Sequence, residues 1–168
     1  MVEAVDVNYE INKVITGHWA LPRPTGKYKT RHPDELIVRL ETLIGPYSNK
    51  KILHLFCGIS SFKDAMDEIR VDINPETNAD YIIDLEKDVL PFEDEYFDIV
   101  YADPPYYDFK PYCFIDEAVR VLKPHGYLVI LHPLVYKTPP RTKRWACISI
   151  GTGPNMRLRC LNIFQRDI

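Results

Sequence analysis

A repeating arrangement of strand ends constrains this chain more than any other feature. Short apolar runs end, one after another, on a glycine or an aspartate. Lys51 to Cys57 runs into Gly58, Ile69 to Ile73 carries Asp72, Tyr81 to Asp84 closes on Asp84, and Phe97 to Ala102 runs into Asp103. Runs of this length, apolar along their whole extent, read as buried strands rather than amphipathic ones. Between them lie segments at helical spacing. Pro33, Asp34 and Glu35 form a helix start, followed by Leu36, Ile37, Leu40, Leu43 and Ile44 on one face and a stop at Gly45-Pro46. Further helices are expected at 59–68 and 115–122.

Strands alternating with helices predict an open, mostly parallel sheet with helices on both faces. The segment 74–80 is too short for a full helix, so the layout is trimmed. Another buried strand is expected at 127–131. Beyond it, runs at 145–150 and 157–165 flank Gly151-Thr152-Gly153-Pro154-Asn155, which predicts a closing antiparallel hairpin. Residues 1–32, with Pro22, Pro24 and Gly26, read as a loop-rich arm, and 33–168 as one domain. In such sheets ligands bind outside the carboxyl ends of the strands. The informative residues are therefore Phe56, Gly58, Asp72, Asp84 and Asp103.

The 168 residues suit one domain, and 46% hydrophobic content supports a core. No run reaches the roughly 20 apolar residues of a membrane helix. The N-terminal residues lack the pattern of a signal peptide. Cys57, Cys113, Cys147 and Cys160 form no C-x-x-C pair. They read as free thiols in a reducing, cytoplasmic setting, with no metal site. A net charge of −3 argues by itself against a nucleic-acid partner. Its distribution qualifies that. The stretch from Asp64 to Asp98 is acidic, with Arg70 and Lys87 its only bases, whereas Lys137, Arg141, Lys143, Arg144, Arg157, Arg159 and Arg166 crowd the C-terminal part. Basic flanks can attract a phosphate backbone, and ordinary solvated faces would look the same.

Asp103-Pro104-Pro105-Tyr106 is the sharpest motif. Two consecutive prolines hold the backbone extended and remove two N–H donors. The loop therefore presents carbonyl oxygens and a carboxylate, which suit the two hydrogens of a planar amino group. Tyr106 can stack on a flat ring. Gly58 permits a tight turn and close approach of a ligand. Asp72 can accept hydrogen bonds from a ribose diol, and Asp84 can bind near an adenine edge.

The order Leu55-Phe56-Cys57-Gly58, Asp72, Asp84, Asp103-Pro104-Pro105-Tyr106 resembles class I S-adenosylmethionine (SAM)-dependent methyltransferases, specifically amino-methyltransferases with a D-P-P-Y loop. These include DNA N6-adenine and N4-cytosine enzymes and some RNA guanine-N2 enzymes. The resemblance spans 28–166. It implies a Rossmann-like class I methyltransferase fold. It also implies SAM as cofactor, held by Phe56, Gly58, Asp72, Asp84 and Asp103, with Asp103, Pro104, Pro105 and Tyr106 as the catalytic loop. Thr30 to Leu36 resembles the helix that holds the methionine end of SAM. Two positions depart from the pattern: His54 stands where an acidic residue is usual, and Ser60 where many members have a second glycine.

The expected activity is methyl transfer from SAM to an exocyclic amine of a nucleic-acid base, adenine N6 in DNA first, an RNA base second. A related N-P-P-Y loop serves protein glutamine, and the aspartate here favours a base. A SAM-binding subunit of low activity supporting a partner enzyme is the other reading. With no room for a recognition domain, target selection falls to the arm, the 132–143 loop or a protein partner. His132 reads first as a loop-starting residue and second as a substrate contact, whereas Tyr107, Phe109 and Tyr112 read equally as pocket lining and as packing on the helix that starts near Ile115.

Overall fold

A computed structural model describes residues 14–22, 35–62, 67–152 and 157–168. In chain order its elements are β1 (Ile15–Leu21), α1 (Leu36–Ile44), β2 (Lys51–Leu55), β3 (Asp67–Asp72), β4 (Tyr81–Ile82), β5 (Phe97–Ala102), α2 (Ile115–Val121), β6 (Leu122–His132), β7 (Thr142–Thr152) and β8 (Arg157–Arg166). The strands form one sheet in the order β1-β7-β8-β6-β5-β2-β3-β4. Pairing is parallel except where β8 lies between β6 and β7, antiparallel to both. The mostly parallel sheet and the C-terminal hairpin are as the sequence predicts.

The strands read as apolar along their length because both faces are covered. Leu53, Leu55, Val100, Ala102, Leu128 and Ile130 pack on one face with Ile115, Ala118 and Val119 of α2. Their alternating neighbours Ile52, Ile99, Tyr101, Val129 and Leu131 pack on the other face with Leu36, Leu40 and Ile44 of α1. This is the period-two consequence of the pleat. Helix α1 ends where expected. Gly45 takes a φ of 82°, and its N–H donates to the Glu41 carbonyl at 2.9 Å. The Pro33-Asp34 start lies outside the described residues.

Three expectations need correction. The helix predicted over 59–68 is not seen at 59–62, and Asp67 and Glu68 belong to β3. The chain instead turns tightly after β2, with Ser60 N–H donating to the Cys57 carbonyl at 2.9 Å. The link to β3 is barely the dozen or so residues that a full crossover with a helix needs. The arm also contains more order than expected, since Ile15–Leu21 forms β1, parallel to β7. Most of its side chains are exposed and only Leu21 is buried, so no apolar pattern marks it. Backbone pairing with β7 makes it a strand. Finally, the strand expected at 127–131 is longer: β6 begins at Leu122, immediately after α2, and takes in Lys123, Pro124, His125 and Gly126. Gly126 is required there, because a Cβ would lie 2.9 Å from the Asp98 carbonyl. As expected, 74–80 holds only a 3-10 turn, Pro75–Thr77, capped by the Asn74 side chain accepting from Glu76 N–H at 3.0 Å.

Candidate active site

The ends of β2, β3 and β5 converge on one sheet edge. After β2, Phe56 and Gly58 adopt φ values of 54° and 51°. That left-handed turn suits glycine, which has no Cβ to clash; Phe56 holds it through ring packing. Its ring stands edge-on to Phe109 and Phe114, with centroids 5.1 and 5.2 Å away. The half-buried Asp72 ties this turn to β3. One carboxylate oxygen accepts Gly58 N–H at 2.8 Å, and the other accepts Asn74 N–H at 2.9 Å. Each oxygen keeps a lone pair for a further donor.

Arg70 is a residue that sequence reasoning missed. Its guanidinium donates to the carbonyls of Gly58, Thr77 and Asn78 at 3.1–3.2 Å, which clamps the turn after β2 to the turn before β4. In the sequence it is one base inside an acidic stretch, and nothing local marks it. Asp84 lies beyond β4, and the neighbouring Ile83 N–H donates to the Asp72 carbonyl at 3.0 Å. The Asp84 carboxylate, however, is already engaged. It pairs with Lys87 at 2.5 Å and caps Glu86 N–H at 3.1 Å, and Lys87 holds it below the usual carboxylate range.

His54 is buried on the α1 face, away from solvent. Its Nδ1 meets Glu68 Oε1 at 2.9 Å, and its ring stands edge-on to Phe62 and Tyr101. The other Glu68 oxygen accepts Phe62 N–H at 3.0 Å. Glu68 thus brings a carboxylate from β3 to the position where the motif's own acid is replaced. Burial pushes the imidazole below its ordinary value despite Glu68.

Asp103 comes directly after β5 and is half-buried, and Pro104 is buried. Tyr106 Oη donates to Asp103 Oδ1 at 3.3 Å and accepts from Arg159 Nη1 at 3.2 Å. Burial raises the Asp103 carboxyl to about 6, opposed by Arg159 and by the Tyr106 hydrogen bond. The Tyr106 hydroxyl is itself pushed up to about 12, chiefly by burial, so it remains a donor. Its ring stands edge-on to His132, with centroids 5.2 Å apart. His132 is buried at the end of β6 and accepts Leu134 N–H on Nδ1 at 3.1 Å. It also bonds the Pro105 backbone, which can only accept. His132 is therefore a loop-starting residue that braces the motif. Of the aromatic residues after the loop, Phe109 covers Phe56, Tyr112 leans on Tyr136 with centroids 5.0 Å apart, and Tyr107 is exposed. Arg159 is the second residue that sequence reasoning missed, being read only as one charge of a basic flank.

Residues 53–130 match the family described as "Methyltransferase domain". The same layout recurs in solved structures. The PH0226 protein from Pyrococcus horikoshii OT3 shares 20% identity over 79% of this chain and 89% of that one, with a TM-score of 0.51. TrmN from Thermus thermophilus shares 14% over 80% of this chain and 49% of that one, so the chain spans about half its length, with a TM-score of 0.61. A protein from Listeria monocytogenes described as a "putative S-adenosylmethionine dependent methyltransferase" shares 11% over 78% of this chain and 97% of that one, with a TM-score of 0.57. The fold is that of a class I methyltransferase. No curated protein matches the chain in sequence. Family match and fold together indicate SAM-dependent methyl transfer, with SAM as the cofactor.

The residues on this edge of the methyltransferase fold fit that cofactor. Beside the turn at Phe56 to Gly58, Asp72 retains acceptor capacity on both carboxylate oxygens. The buried Ser60 hydroxyl beside them has no hydrogen-bond partner among the described residues. Asp84 fits less well, since Lys87 already holds it. Among the described residues no helix is long and apolar enough to cross a membrane.

Proposed function

We propose that this chain methylates an exocyclic amino group of a nucleic-acid base, with adenine N6 in DNA as the first candidate. The observation that carries the reading is the acceptor-only loop at the end of β5. Asp103 is a half-buried carboxylate, and the next two residues have no N–H. One Asp103 oxygen takes the Tyr106 hydroxyl and the Pro105 backbone takes His132. The other Asp103 oxygen and the Pro104 carbonyl are the acceptors assigned to the substrate's two amino hydrogens.

The amine of a base is a poor nucleophile because its lone pair is delocalised into the ring. Acceptors on both hydrogens bind more strongly as that nitrogen becomes tetrahedral, which favours the transition state over the ground state. Bound SAM supplies an electrophilic methyl on a sulfonium. Asp72 and the Gly58 turn would orient it, so that holding the two reactants in line provides much of the rate. Tyr106 offers a ring for stacking, which is worth about 1–3 kcal/mol per base in single-strand binders. A base in a duplex would have to leave the stack to reach the loop. The N-terminal arm, the 132–143 loop or a protein partner would contribute to selecting the target.

The test is transfer of labelled methyl from SAM to separate DNA, RNA and protein pools, by the wild type and Asp103→Ala. Label in a nucleic-acid pool, lost in the variant while SAM binding survives, is the expected result. Label in protein alone, or near-normal transfer by Asp103→Ala, sinks the reading.

A further inference from the structure

We propose that Arg159 is a positioning residue of the acceptor loop, holding the Tyr106 hydroxyl so that Tyr106 orients Asp103 beside a positive charge. The inference rests on the assignment of Asp103 as acceptor of the substrate's amino hydrogens. Three residues from two distant parts of the chain form the line. Arg159 Nη1 donates to Tyr106 Oη at 3.2 Å, and Tyr106 Oη donates to Asp103 Oδ1 at 3.3 Å. A tyrosine hydroxyl has one hydrogen, so accepting from Arg159 commits that hydrogen toward Asp103. The two bonds reinforce each other in direction.

The charges around Asp103 leave this role to Arg159. From β5, Tyr101 faces it as a neutral phenol, raised further by the Asp103 charge. From the end of β6, His132 touches Tyr106, and burial keeps its imidazole toward the neutral form. Arg159, from β8, is the cation that acts on Asp103, and it opposes the effect of burial. Among the described residues no carboxylate lies within ion-pair distance of Arg159, so its charge is not spent on a surface bridge. Away from Tyr106, Arg159 borders a cavity of about 300 Å³ with Thr16, Ser149 and Val135. Its replacement therefore leaves no void in the packed core.

The decisive measurement is the ¹³C carboxyl titration of Asp103 by NMR, with the resonance assigned from its loss in Asp103→Asn. The wild-type midpoint is expected near pH 6. In Arg159→Met it should rise by roughly half a pH unit or more, and Arg159→Lys should recover part of the change. Tyr106→Phe should raise it too, by removing the bridging hydroxyl. The acid limb of kcat/KM should move in parallel while SAM affinity stays. An unmoved midpoint in Arg159→Met, or the same midpoint in the Met and Lys variants, overturns the proposal. The titration needs no turnover. A displaced midpoint in a protein that methylates no pool refutes the proposed function, while the coupling of Arg159 to Asp103 through Tyr106 stands without a catalytic role.

Discussion

The carboxylate of Asp72 accepts the backbone N–H of Gly58 at 2.8 Å, which joins the turn after β2 to the end of β3. With Asn74 N–H on its other oxygen, it fixes both walls of the expected cofactor site. Asp72→Ala should therefore weaken SAM binding about 10- to 100-fold, the scale of losing hydrogen bonds to a charged group. Asp72→Asn keeps one acceptor and should lose less. Calorimetric titration with SAM decides this, and wild-type affinity in Asp72→Ala would refute it.

The raised carboxyl of Asp103 predicts a pH-dependent rate. The acceptor must be ionised, and its value lies near 6. Activity should therefore be nearly full above pH 7 and fall about tenfold per pH unit well below 6. The measurement is kcat/KM against pH. A profile flat down to pH 5 would show that Asp103 is not the titrating acceptor.

His54 should make the fold acid-sensitive. Its imidazole is buried and held below its ordinary value, so the unfolded chain binds a proton more readily than the native one. The stability it supports is present above the unfolded pKa of about 6.5 and is lost as pH falls below it. Urea unfolding at pH 7 and pH 5 should show a larger loss in the wild type than in His54→Gln. Asp103, whose raised value works in the opposite sense, is common to both proteins and cancels. Equal losses would contradict the assignment.

Asn162, fully buried on β8, holds the segment after β6. Its side-chain carbonyl accepts Tyr136 N–H at 3.0 Å, and its amide donates to the Leu134 carbonyl at 3.0 Å. Asn162→Leu keeps the volume but strands both backbone groups. It should cost about 1–3 kcal/mol in denaturant unfolding. An unchanged midpoint would mean that these groups find other partners.

The strand ends were legible because burial on both faces writes itself into sequence as continuous apolar runs, and the residues just past each run fall on the binding edge. Phe56 and Gly58 do follow β2, Asp72 ends β3, Asp103 follows β5 and Asp84 lies beyond β4, in the parallel sheet with its hairpin that the pattern predicts. The pattern failed at 59–68, where 59–62 turn tightly and Asp67 and Glu68 pair into β3, and at β1, whose exposed residues leave no apolar signature.

The sequence by itself determined the buried parallel strands, the closing hairpin and the acceptor-only character of Asp103-Pro104-Pro105-Tyr106, because proline chemistry and strand burial are local properties. Only the tertiary structure decided which residues complete the site. Glu68 reaches His54 across neighbouring strands, Arg70 clamps two turns, and Arg159 meets Tyr106 from 53 residues away. Side-chain contacts between strands distant in sequence depend on sheet order and register, and no local pattern of residues carries that information.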